Sequence, residues 1–289
     1  KTRENSVSPL CAMSIIAKLP RAARLFNPKD GKLLNVAIDH GVFREDRFLT
    51  GIEDMTIVLR KLVEAGPDVI QLTIGQARSL LPAGITAAHR LPSLVIRTDV
   101  ANVYGTTAPS VPFCNLQHPQ IVEEAVRLDA CAVICNLLFL PADAPGAGEV
   151  HQTCVRNVSV LRAECTKYGM PLIVEPLAFR WSNESKEAFA METSVAVTRP
   201  LVRLACELGA DIIKCDPPTD VTEFGALVAV CQPCPVLLRG GEKGEESAVM
   251  AAAKALLDAG AAGLVYGRNI IHHEDPCYIT KRFMQVVHP

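Results

Sequence analysis

The chain has 289 residues, of which 49% are apolar, and its 29 basic and 31 acidic side chains give a formal charge of -2. Because both signs of charge are interspersed and no apolar run reaches about 18 residues, the sequence predicts neither a nucleic-acid surface nor a membrane span. Its 11 cysteines, an odd number mostly in apolar runs, favour reduced thiols and a cytoplasmic location over a disulfide framework.

The segment before residue 33 is basic and amphipathic, with the apolar run Met13–Ala17 between its charges. A targeting segment and a helix that closes the bottom of a domain share this pattern, and we favour the closing helix. We therefore expect an N-terminal extension with a closing helix over residues 1–32 and a single domain over residues 33–289.

Eight short apolar runs recur along the rest of the chain, separated by turns and by segments with helical periodicity. The predicted strands are Leu33–Ile38, Asp68–Ile74, Ser93–Arg97, Cys131–Cys135, Pro171–Glu175, Ala210–Lys214, Pro235–Arg239 and Gly263–Tyr266. The predicted helices are Glu53–Ala65, His118–Asp129, Gln152–Tyr168, Glu187–Leu208, Val221–Cys231 and Glu245–Ala259.

Apolar strands that alternate with helices predict an α/β fold with a parallel sheet covered on both faces. Eight such strands favour a single (β/α)8 TIM barrel over an open doubly wound sheet. The open sheet would typically carry a glycine-rich fingerprint after its first strand, and that position reads Asp39-His40-Gly41.

Reactive groups of a TIM barrel lie at the carboxyl ends of its strands. The polar residues of the predicted strands concentrate there: Asp39, His40, Gln71, Thr73, Arg97, Asp99, Asn136, Glu175, Lys214, Asp216, Arg239 and Arg268. Among them we expect His40, Gln71, Arg97 and Arg239 to contact a substrate.

Lys214 is the most informative of these residues, because it ends an apolar strand just before a Pro-Pro loop. Burial of an ammonium group without a partner lowers a lysine pKa and leaves a neutral amine that can condense with a carbonyl. If Lys214 points into the barrel, Ile212 and Asp216 do so too, whereas Ile213 and Cys215 face the helices. The alternative is a lysine that extends from the strand end into solvent.

Asp39 and Glu175 are predicted to supply carboxyl groups to the same end of the barrel. An amine beside acid/base groups is the minimum set for carbinolamine formation, dehydration and proton transfer. Each carboxylate has a structural alternative. Asp39 could merely hold Lys214 as an ion-pair partner, and Glu175 could cap its strand or pair with an arginine such as Arg97.

The seventh and eighth predicted strands end in Arg-Gly-Gly and Tyr-Gly-Arg-Asn. Glycines at these two places let backbone N–H groups converge on an anion, and TIM barrels commonly bind phosphate there. We therefore predict a phosphate site at Gly240, Gly241, Gly267 and Arg268. Tight turns without a ligand are the alternative.

Four motifs together resemble the DeoC/FbaB/LacD superfamily of aldolases, and within it the archaeal-type class I fructose-bisphosphate aldolases and the thiolase of autoinducer-2 breakdown. They are Asp39-His40-Gly41, Gly209–Lys214, Gly240-Gly241 and Gly260–Asn269. The resemblance runs from about Leu33 to the C-terminus and is strongest from Gly209 onward. It implies a TIM barrel, a Schiff base on Lys214, assistance from Asp39, phosphate at the glycine turns and assembly into homo-oligomers.

Two residues depart from the family pattern. Fructose-bisphosphate aldolases of the family use a tyrosine on the fifth strand as proton donor, and the fifth strand here continues as Val174-Glu-Pro-Leu-Ala178 without one. Glu175 could replace that tyrosine, or the substrate could differ. Arg239 occupies a position where the family usually has a small residue, so it would narrow the site or recognise an additional anionic group.

We therefore predict a cytoplasmic class I aldolase of carbohydrate metabolism, which uses Lys214 without a metal or other cofactor on a phosphorylated ketose or related keto compound. The alternative at the same site is lysine-dependent acyl transfer, as in the thiolase, or isomerisation without a stable imine. A metal-dependent aldolase or hydrolase is less favoured, because only His40 of the seven histidines lies at a predicted strand end. Cys231 and Cys234 have the CxxC spacing of some zinc and redox sites, but they lack a second pair or nearby histidines, so we do not predict such a site there. A non-enzymatic binding or assembly protein is the least favoured interpretation.

Overall fold

The computed structural model describes residues 18–43, 49–84, 91–103, 112–182 and 189–289. Its strands in chain order are β1 (Leu33–Ala37), β2 (Val69–Thr73), β3 (Ser93–Arg97), β4 (Asp99–Ala101), β5 (Cys114–Leu116), β6 (Ala132–Phe139), β7 (Leu172–Trp181), β8 (Phe189–Glu192), β9 (Ile212–Cys215), β10 (Val236–Arg239) and β11 (Gly263–Tyr266). Its α-helices are α1 (Leu19–Leu25), α2 (Met55–Ala65), α3 (Ile74–Gly84), α4 (Ile121–Arg127), α5 (Ala147–Tyr168), α6 (Val195–Glu207), α7 (Phe224–Cys231), α8 (Glu246–Asp258), α9 (Arg268–Ile271) and α10 (Pro276–Val287).

Eight of these strands form a closed parallel barrel in the order β1, β2, β3, β6, β7, β9, β10 and β11. The pairing of β11 with β1, in which Gly263 lies opposite Leu33, closes the ring. Each of the eight corresponds to a predicted strand, so the predicted (β/α)8 barrel is confirmed. We call the end of the barrel at the carboxyl ends of these strands the mouth.

Three further strands lie outside the sequence prediction. β4 and β5 form a separate antiparallel pair, and β8 adds to the end of β7 with Phe179 opposite Met191. The predicted helix from Glu187 is therefore wrong over residues 189–194, because Phe189–Glu192 pair with β7 and helix α6 does not begin until Val195. Residues 187–188 of that prediction lie outside the described part of the chain. Helix α6 begins only after the extended residue Ser194.

The barrel interior below the mouth is apolar, as expected from the alternation of side chains along strands. One buried cluster collects Leu33, Val69, Val95, Ile134, Ile173, Ile212, Leu237 and Val265, together with Leu25 and Phe26 at the end of α1. Ile213 and Cys215 belong to the separate cluster that includes the covering helices. The predicted orientation of β9 is thus confirmed, with Ile212 inside the barrel and its neighbour outside.

Helix α1 lies against the amino ends of the strands. Lys18 donates to Asp211 Oδ2 at 2.6 Å, and both side chains are buried. Arg21 donates to the carbonyl oxygen of Ala130, just before β6. This placement fits a closing helix, although residues 1–17 lie outside the described part of the chain, and the division at residue 32 stays a prediction.

No helix of the described residues is long and apolar enough to cross a membrane. In the same part of the chain, no group of three or more His, Cys, Asp and Glu side chains has an arrangement that could hold a metal ion.

His288, which follows helix α10, is held between two carboxylates. Its Nδ1 lies 2.6 Å from Asp30 Oδ2 and its Nε2 lies 2.9 Å from Asp68 Oδ2. Burial alone would lower the pKa of His288, but the hydrogen bonds to Asp68 and Asp30 outweigh burial and raise it above 6.5.

A group with a raised pKa in the folded state stabilises the fold fully below its unfolded pKa and loses that effect as pH rises through the folded pKa. We therefore expect His288→Gln to lower the free energy of unfolding by about 1 kcal/mol at pH 6. The difference between variant and parent should shrink as pH rises above 6.5, which urea unfolding at pH 6 and pH 9 would measure. An equal difference at both pH values would contradict this assignment.

Candidate active site

The structure gathers the predicted site residues around one small cavity at the mouth. The cavity is lined by Ala37, Asp39, His40, Phe43, Arg97, Glu175, Lys214, Arg239, Gly240, Gly241, Val265, Gly267 and Arg268. Of the residues predicted for the site, only Gln71 does not line this cavity. It is fully buried and donates to Asp39 Oδ2 at 2.7 Å, which makes it a support for that carboxylate.

Lys214 points into the barrel from β9. Its side chain is 6% exposed, and its Nζ lies 2.9 Å from Glu175 Oε1. The alternative of a lysine that extends into solvent is therefore wrong. The expectation that the buried amine lacks a partner is also wrong, because Glu175 on the neighbouring strand β7 supplies one.

Glu175 joins Lys214 to the rest of the site. Its Oε1 faces the lysine, and its Oε2 accepts from Arg97 Nη2 at 2.7 Å. Burial by itself would raise the pKa of Glu175, but the charges of Lys214 and Arg97 outweigh burial and hold the pKa below its ordinary value. Glu175 is therefore a carboxylate at neutral pH.

Arg97 is the centre of a buried network. Its pair with Glu175 is the structural alternative that the sequence offered for that carboxylate, whereas its contacts with Asp39, Asp99 and Asn136 were not predicted. Its guanidinium donates to Asp39 at 2.9 Å, to Asp99 at 3.2 Å and to Glu175 at 2.7 Å, and also to the amide oxygen of Asn136. Its side chain is 1% exposed, and burial, which lowers the pKa, is outweighed by these carboxylates, which raise it far above its ordinary value. Arg97 thus fixes the positions of three carboxylates.

Asp39 follows β1 and faces the same network. Its Oδ2 accepts from both Gln71 and Arg97. Burial would raise the pKa of Asp39, but the charge of Arg97 is the largest of the opposing influences, and the pKa lies below its ordinary value. The alternative in which Asp39 serves as the ion-pair partner of Lys214 is wrong, because Glu175 has that position.

Arg239 reaches the site from the end of β10. Its Nη1 lies 2.9 Å from both carboxyl oxygens of Asp216, and its Nε lies 3.6 Å from Glu175 Oε1. Burial, followed by the nearby charges of Arg268 and Arg97, lowers the pKa of Arg239 to about 9, so it remains a cation at neutral pH. Glu175 therefore lies beside three buried cations, Lys214, Arg97 and Arg239.

His40 begins a short 3-10 turn after β1 and packs against the eighth strand end. Burial lowers the pKa of His40 to about 4, so its imidazole is neutral at neutral pH. A Cβ atom at Gly267 would lie 2.4 Å from His40 Cε1 and 2.7 Å from His40 Nε2. The glycine at position 267 therefore lets the imidazole approach the loop after β11.

Gly240, the first glycine of the loop after β10, is required for a different reason. The N–H of Gly240 donates to the carbonyl of Val265, and a Cβ at Gly240 would lie 2.6 Å from the Tyr266 ring. This N–H is thus occupied, which leaves Gly241, Gly267 and Arg268 as the backbone and side-chain candidates for an anion. Gly241 has a φ of +62°, in the left-handed region that favours glycine.

Asn269 is a site residue that sequence reasoning did not assign. Its Nδ2 donates to the carbonyl oxygens of Gly240 and Glu242, and its Oδ1 accepts from the N–H of Gly244. One side chain on α9 therefore shapes the loop that follows β10. Its position directly after the Tyr-Gly-Arg motif is the signal that could have identified it.

We expect Gly267→Ala to destabilise the protein by about 1–3 kcal/mol, because the added methyl group overlaps the His40 ring. The expected loss comes from the space that the methyl group needs, because the added Cβ would lie 2.4 Å from His40 Cε1. Thermal unfolding would measure the loss. Gly148→Ala on α5 is the matched control, because a Cβ there meets no described atom within 4 Å. Equal melting temperatures for the two variants would contradict the close approach.

Comparisons with known proteins agree with this geometry. The model of the DeoC/LacD family aldolases matches residues 33–273. An uncharacterized aldolase of Saccharolobus solfataricus is 30% identical over 269 residues, which cover 93% of each chain. The 3-hydroxy-5-phosphonooxypentane-2,4-dione thiolase of Yersinia enterocolitica is 31% identical over 270 residues, which cover 93% of this chain and 81% of that protein.

Among solved structures, a Schiff base-forming fructose-1,6-bisphosphate aldolase superposes with a TM-score of 0.73 and 25% identity, covering 94% of this chain and 100% of the other.

Proposed function

The chain belongs to the DeoC/LacD aldolase family, and we propose that it is a class I aldolase in which Lys214 forms a Schiff base with a phosphorylated ketose or a related keto compound. Family membership identifies it as an enzyme of the carbon–carbon lyase type. The observation that carries the mechanism is the Lys214 amine, buried inside the barrel 2.9 Å from the ionised Glu175.

In the first step the amine of Lys214 attacks the carbonyl carbon of the substrate. Glu175 lies where it can accept the ammonium proton that must leave before the nitrogen lone pair can react. The carbinolamine then loses its hydroxyl group as water, and an iminium ion forms. Arg97 holds Glu175 in place through the other carboxylate oxygen.

The iminium ion is the electron sink for the carbon–carbon bond. When the β-hydroxyl of the substrate loses its proton, the adjacent carbon–carbon bond breaks, an aldehyde leaves and the electron pair moves onto the lysine nitrogen. Protonation of the resulting enamine and hydrolysis release the ketone and regenerate the free amine. This chemistry uses the lysine where a metal-dependent aldolase would use a Lewis acid.

A phosphate group on the substrate is supported by the charges and glycines at the mouth. Gly241, Gly267 and Arg268 line the cavity on the side of β10 and β11, where TIM barrels commonly bind phosphate. Arg239, which lines the same cavity, adds a second cation to that of Arg268. The names of the Yersinia relative and of the structural neighbour also describe phosphorylated substrates.

Reductive trapping tests the proposal. Incubation with dihydroxyacetone phosphate or fructose 1,6-bisphosphate, followed by borohydride, is expected to add mass at Lys214 and not at the exposed Lys254. Peptide mass spectrometry would locate the adduct. Turnover of either compound without an adduct at Lys214 would contradict Schiff-base catalysis.

Acyl transfer at the same lysine is the second candidate function. It is favoured by the 31% identity to the Yersinia thiolase and by the absence of a tyrosine from the strand segment Leu172–Ala178. Incubation with 3-hydroxy-5-phosphonooxypentane-2,4-dione and coenzyme A as a thiol acceptor would reveal it as a thioester product. An aldolase that acts only on ketose phosphates would form none.

We also propose that the protein works in a reducing compartment and forms a homo-oligomer. The ten cysteines among the described residues are free thiols, and seven of them are buried. This pattern supports a cytoplasmic enzyme. Homo-oligomerisation rests on the family alone, and size-exclusion chromatography with light scattering would measure it.

A further inference from the structure

The sequence left open whether Arg239 narrows the site or recognises an additional anionic group of the substrate. The structure points its side chain into the barrel, because Leu237, two residues earlier on β10, belongs to the buried cluster of the barrel interior. Arg239 lines the cavity together with Lys214, and its side chain is 8% exposed. A substrate that reaches the amine of Lys214 therefore shares the cavity with a buried guanidinium.

Arg239 lies on the lysine side of this cavity. Lys214 Nζ lies 2.9 Å and Arg239 Nε lies 3.6 Å from the same atom, Oε1 of Glu175. Strands β9 and β10 are neighbours in the barrel with Lys214 opposite Leu237, so Arg239 is one inward-facing position nearer to the mouth. A group bonded to the carbonyl carbon that Lys214 attacks therefore lies within reach of this guanidinium.

A neighbouring carboxylate holds the guanidinium in one orientation. Both carboxyl oxygens of Asp216 lie 2.9 Å from Nη1 of Arg239, so this contact engages one of the three guanidinium nitrogens. An arginine held in this way loses little side-chain freedom when it binds a ligand, and its planar fork of N–H donors matches a carboxylate. Asp216 thus orients Arg239 without itself lining the cavity.

The charges around Arg239 favour an anion beside it. Burial is the largest influence on the pKa of Arg239, followed by the charges of Arg268 and Arg97, and together they lower this pKa to about 9. Lys214 adds a further cation to the lining of the same cavity. A bound anion reduces the repulsion among these cations, whereas a neutral ketone does not. The site therefore favours a substrate with negative charge close to its carbonyl group.

This anion is distinct from the phosphate of the proposed function. The candidates for phosphate, Gly241, Gly267 and Arg268, belong to the segments that follow β10 and β11, whereas Arg239 is the last residue of β10 itself. A carboxylate bonded directly to the carbonyl carbon is planar and close to the amine. A phosphate ester is tetrahedral and separated from the carbonyl carbon by further atoms. The position of Arg239 beside Glu175 and Lys214 therefore matches a carboxylate better than a phosphate.

We propose that Arg239 is a specificity-determining residue, which binds the carboxylate of a 2-keto acid whose carbonyl carbon is attacked by Lys214. The inference rests on the proposed Schiff-base function and narrows its substrate class. The amine and the carbonyl group condense to an iminium ion and water, while the carboxylate stays beside Arg239. The carbon–carbon bond that breaks lies on the opposite side of the iminium carbon, so an aldehyde leaves and the enamine of a shorter 2-keto acid remains on Lys214.

Reductive trapping with three small ketones tests this inference. Pyruvate carries a carboxylate on its carbonyl carbon, hydroxyacetone is neutral, and dihydroxyacetone phosphate carries a phosphate. Borohydride transfers hydride to an iminium carbon on Lys214 and leaves a stable secondary amine, which peptide mass spectrometry detects. Arg239→Gln is expected to raise the pyruvate concentration for half-maximal trapping by about 10–100-fold and that of hydroxyacetone by less than about threefold, because only pyruvate loses a charge-assisted contact. The effect on dihydroxyacetone phosphate should be smaller than that on pyruvate.

Three further variants make the result specific. Arg239→Gln leaves the carboxylate of Asp216 without this cation, so the double variant Arg239→Gln/Asp216→Asn, which removes both charges, guards against simple unfolding and should show the same selective loss of pyruvate trapping. Arg239→Lys retains the charge without the planar fork and is expected to lie between the parent and Arg239→Gln. Arg203→Gln, which removes an exposed pair with Glu207 on α6, should leave the trapping of all three ketones unchanged.

The outcomes distinguish this inference from the proposed function. No adduct at Lys214 with any of the three ketones would overturn both. Trapping of dihydroxyacetone phosphate without trapping of pyruvate would overturn the inference and leave Schiff-base chemistry in place, and so would unchanged pyruvate trapping in Arg239→Gln. A loss confined to dihydroxyacetone phosphate would assign Arg239 to the phosphate. Equal losses for pyruvate and hydroxyacetone would show that Arg239 acts through Glu175 or Lys214. Either of these last two results would also overturn the inference.

Discussion

Replacing Lys214 by methionine is expected to lower kcat/KM by at least about 10³-fold, which corresponds to a loss of about 4 kcal/mol of transition-state stabilisation. Methionine keeps an unbranched side chain of similar length but has no amine to form the imine. Glu175 keeps its hydrogen bond to Arg97, so the variant should fold. Steady-state cleavage assays together with the melting temperature would measure both effects.

Lys214→Arg is the matched variant that separates imine chemistry from electrostatics. Arginine retains the positive charge beside Glu175, but a guanidinium stays protonated and does not condense with carbonyls. If Lys214 acts through an imine, the arginine variant should be as inactive as the methionine variant. Substantial activity in Lys214→Arg would instead support the interpretation in which a cation polarises the carbonyl. Lys254→Met on α8, exposed to solvent, should leave activity unchanged.

The largest effect on stability is expected from Arg97→Met. This change leaves the carboxylates of Asp39, Asp99 and Glu175 buried without their shared cation. Removal of one partner from a buried ionic network typically costs about 3–5 kcal/mol. At about 2–4 °C per kcal/mol for a chain of this size class, the melting temperature should fall by roughly 10 °C.

Two comparisons make the Arg97 prediction specific. The surface variant Arg127→Met removes an exposed pair with Glu123 and should change stability by no more than about 0.5 kcal/mol. The double variant Arg97→Met/Glu175→Gln should recover part of the loss, because one buried charge disappears with its partner. A melting temperature of Arg97→Met within about 2 °C of that of the parent would contradict the central role of this guanidinium.

The same network predicts a pH dependence. The pKa of Asp39 and that of Glu175 are lowered in the folded state, chiefly by Arg97 and Lys214 acting against burial. Lowered carboxyl pKa values contribute stability that is present above the unfolded pKa and is lost as pH falls through the folded pKa. The stability difference between the parent and Arg97→Met should therefore be largest near neutral pH and shrink below about pH 4.

The barrel fold and the polar residues that lie at its mouth could be predicted from the sequence. Both depend on local signals, the periodicity of strands and the position of polar residues at strand ends. The inward direction of Lys214 followed from the same alternation. The partner of Lys214 could not be predicted in this way. It depends on the register of β7 and β9, in which Val174 lies opposite Ile213, so that Glu175 comes level with the lysine.

Most ionic partners of Arg97 could not be predicted from the sequence either. Its position at a strand end predicted a residue that contacts substrate. Its guanidinium instead donates hydrogen bonds to side chains of three other segments, Asp39, Asn136 and Glu175. Strand β8 was not predicted. Its four residues are too few for periodicity to distinguish a strand from the start of a helix. The deciding contacts of Arg97 come from residues distant in sequence, whereas those of β8 come from the preceding strand β7.

The contact between Lys18 and Asp211 spans 193 residues, and the ring closes only when Leu33 pairs with Gly263. During synthesis the first helix and first strand therefore leave the ribosome long before their partners exist. We expect the nascent barrel to remain open, with the apolar surfaces of its earliest elements bound by chaperones, until β11 has been synthesised.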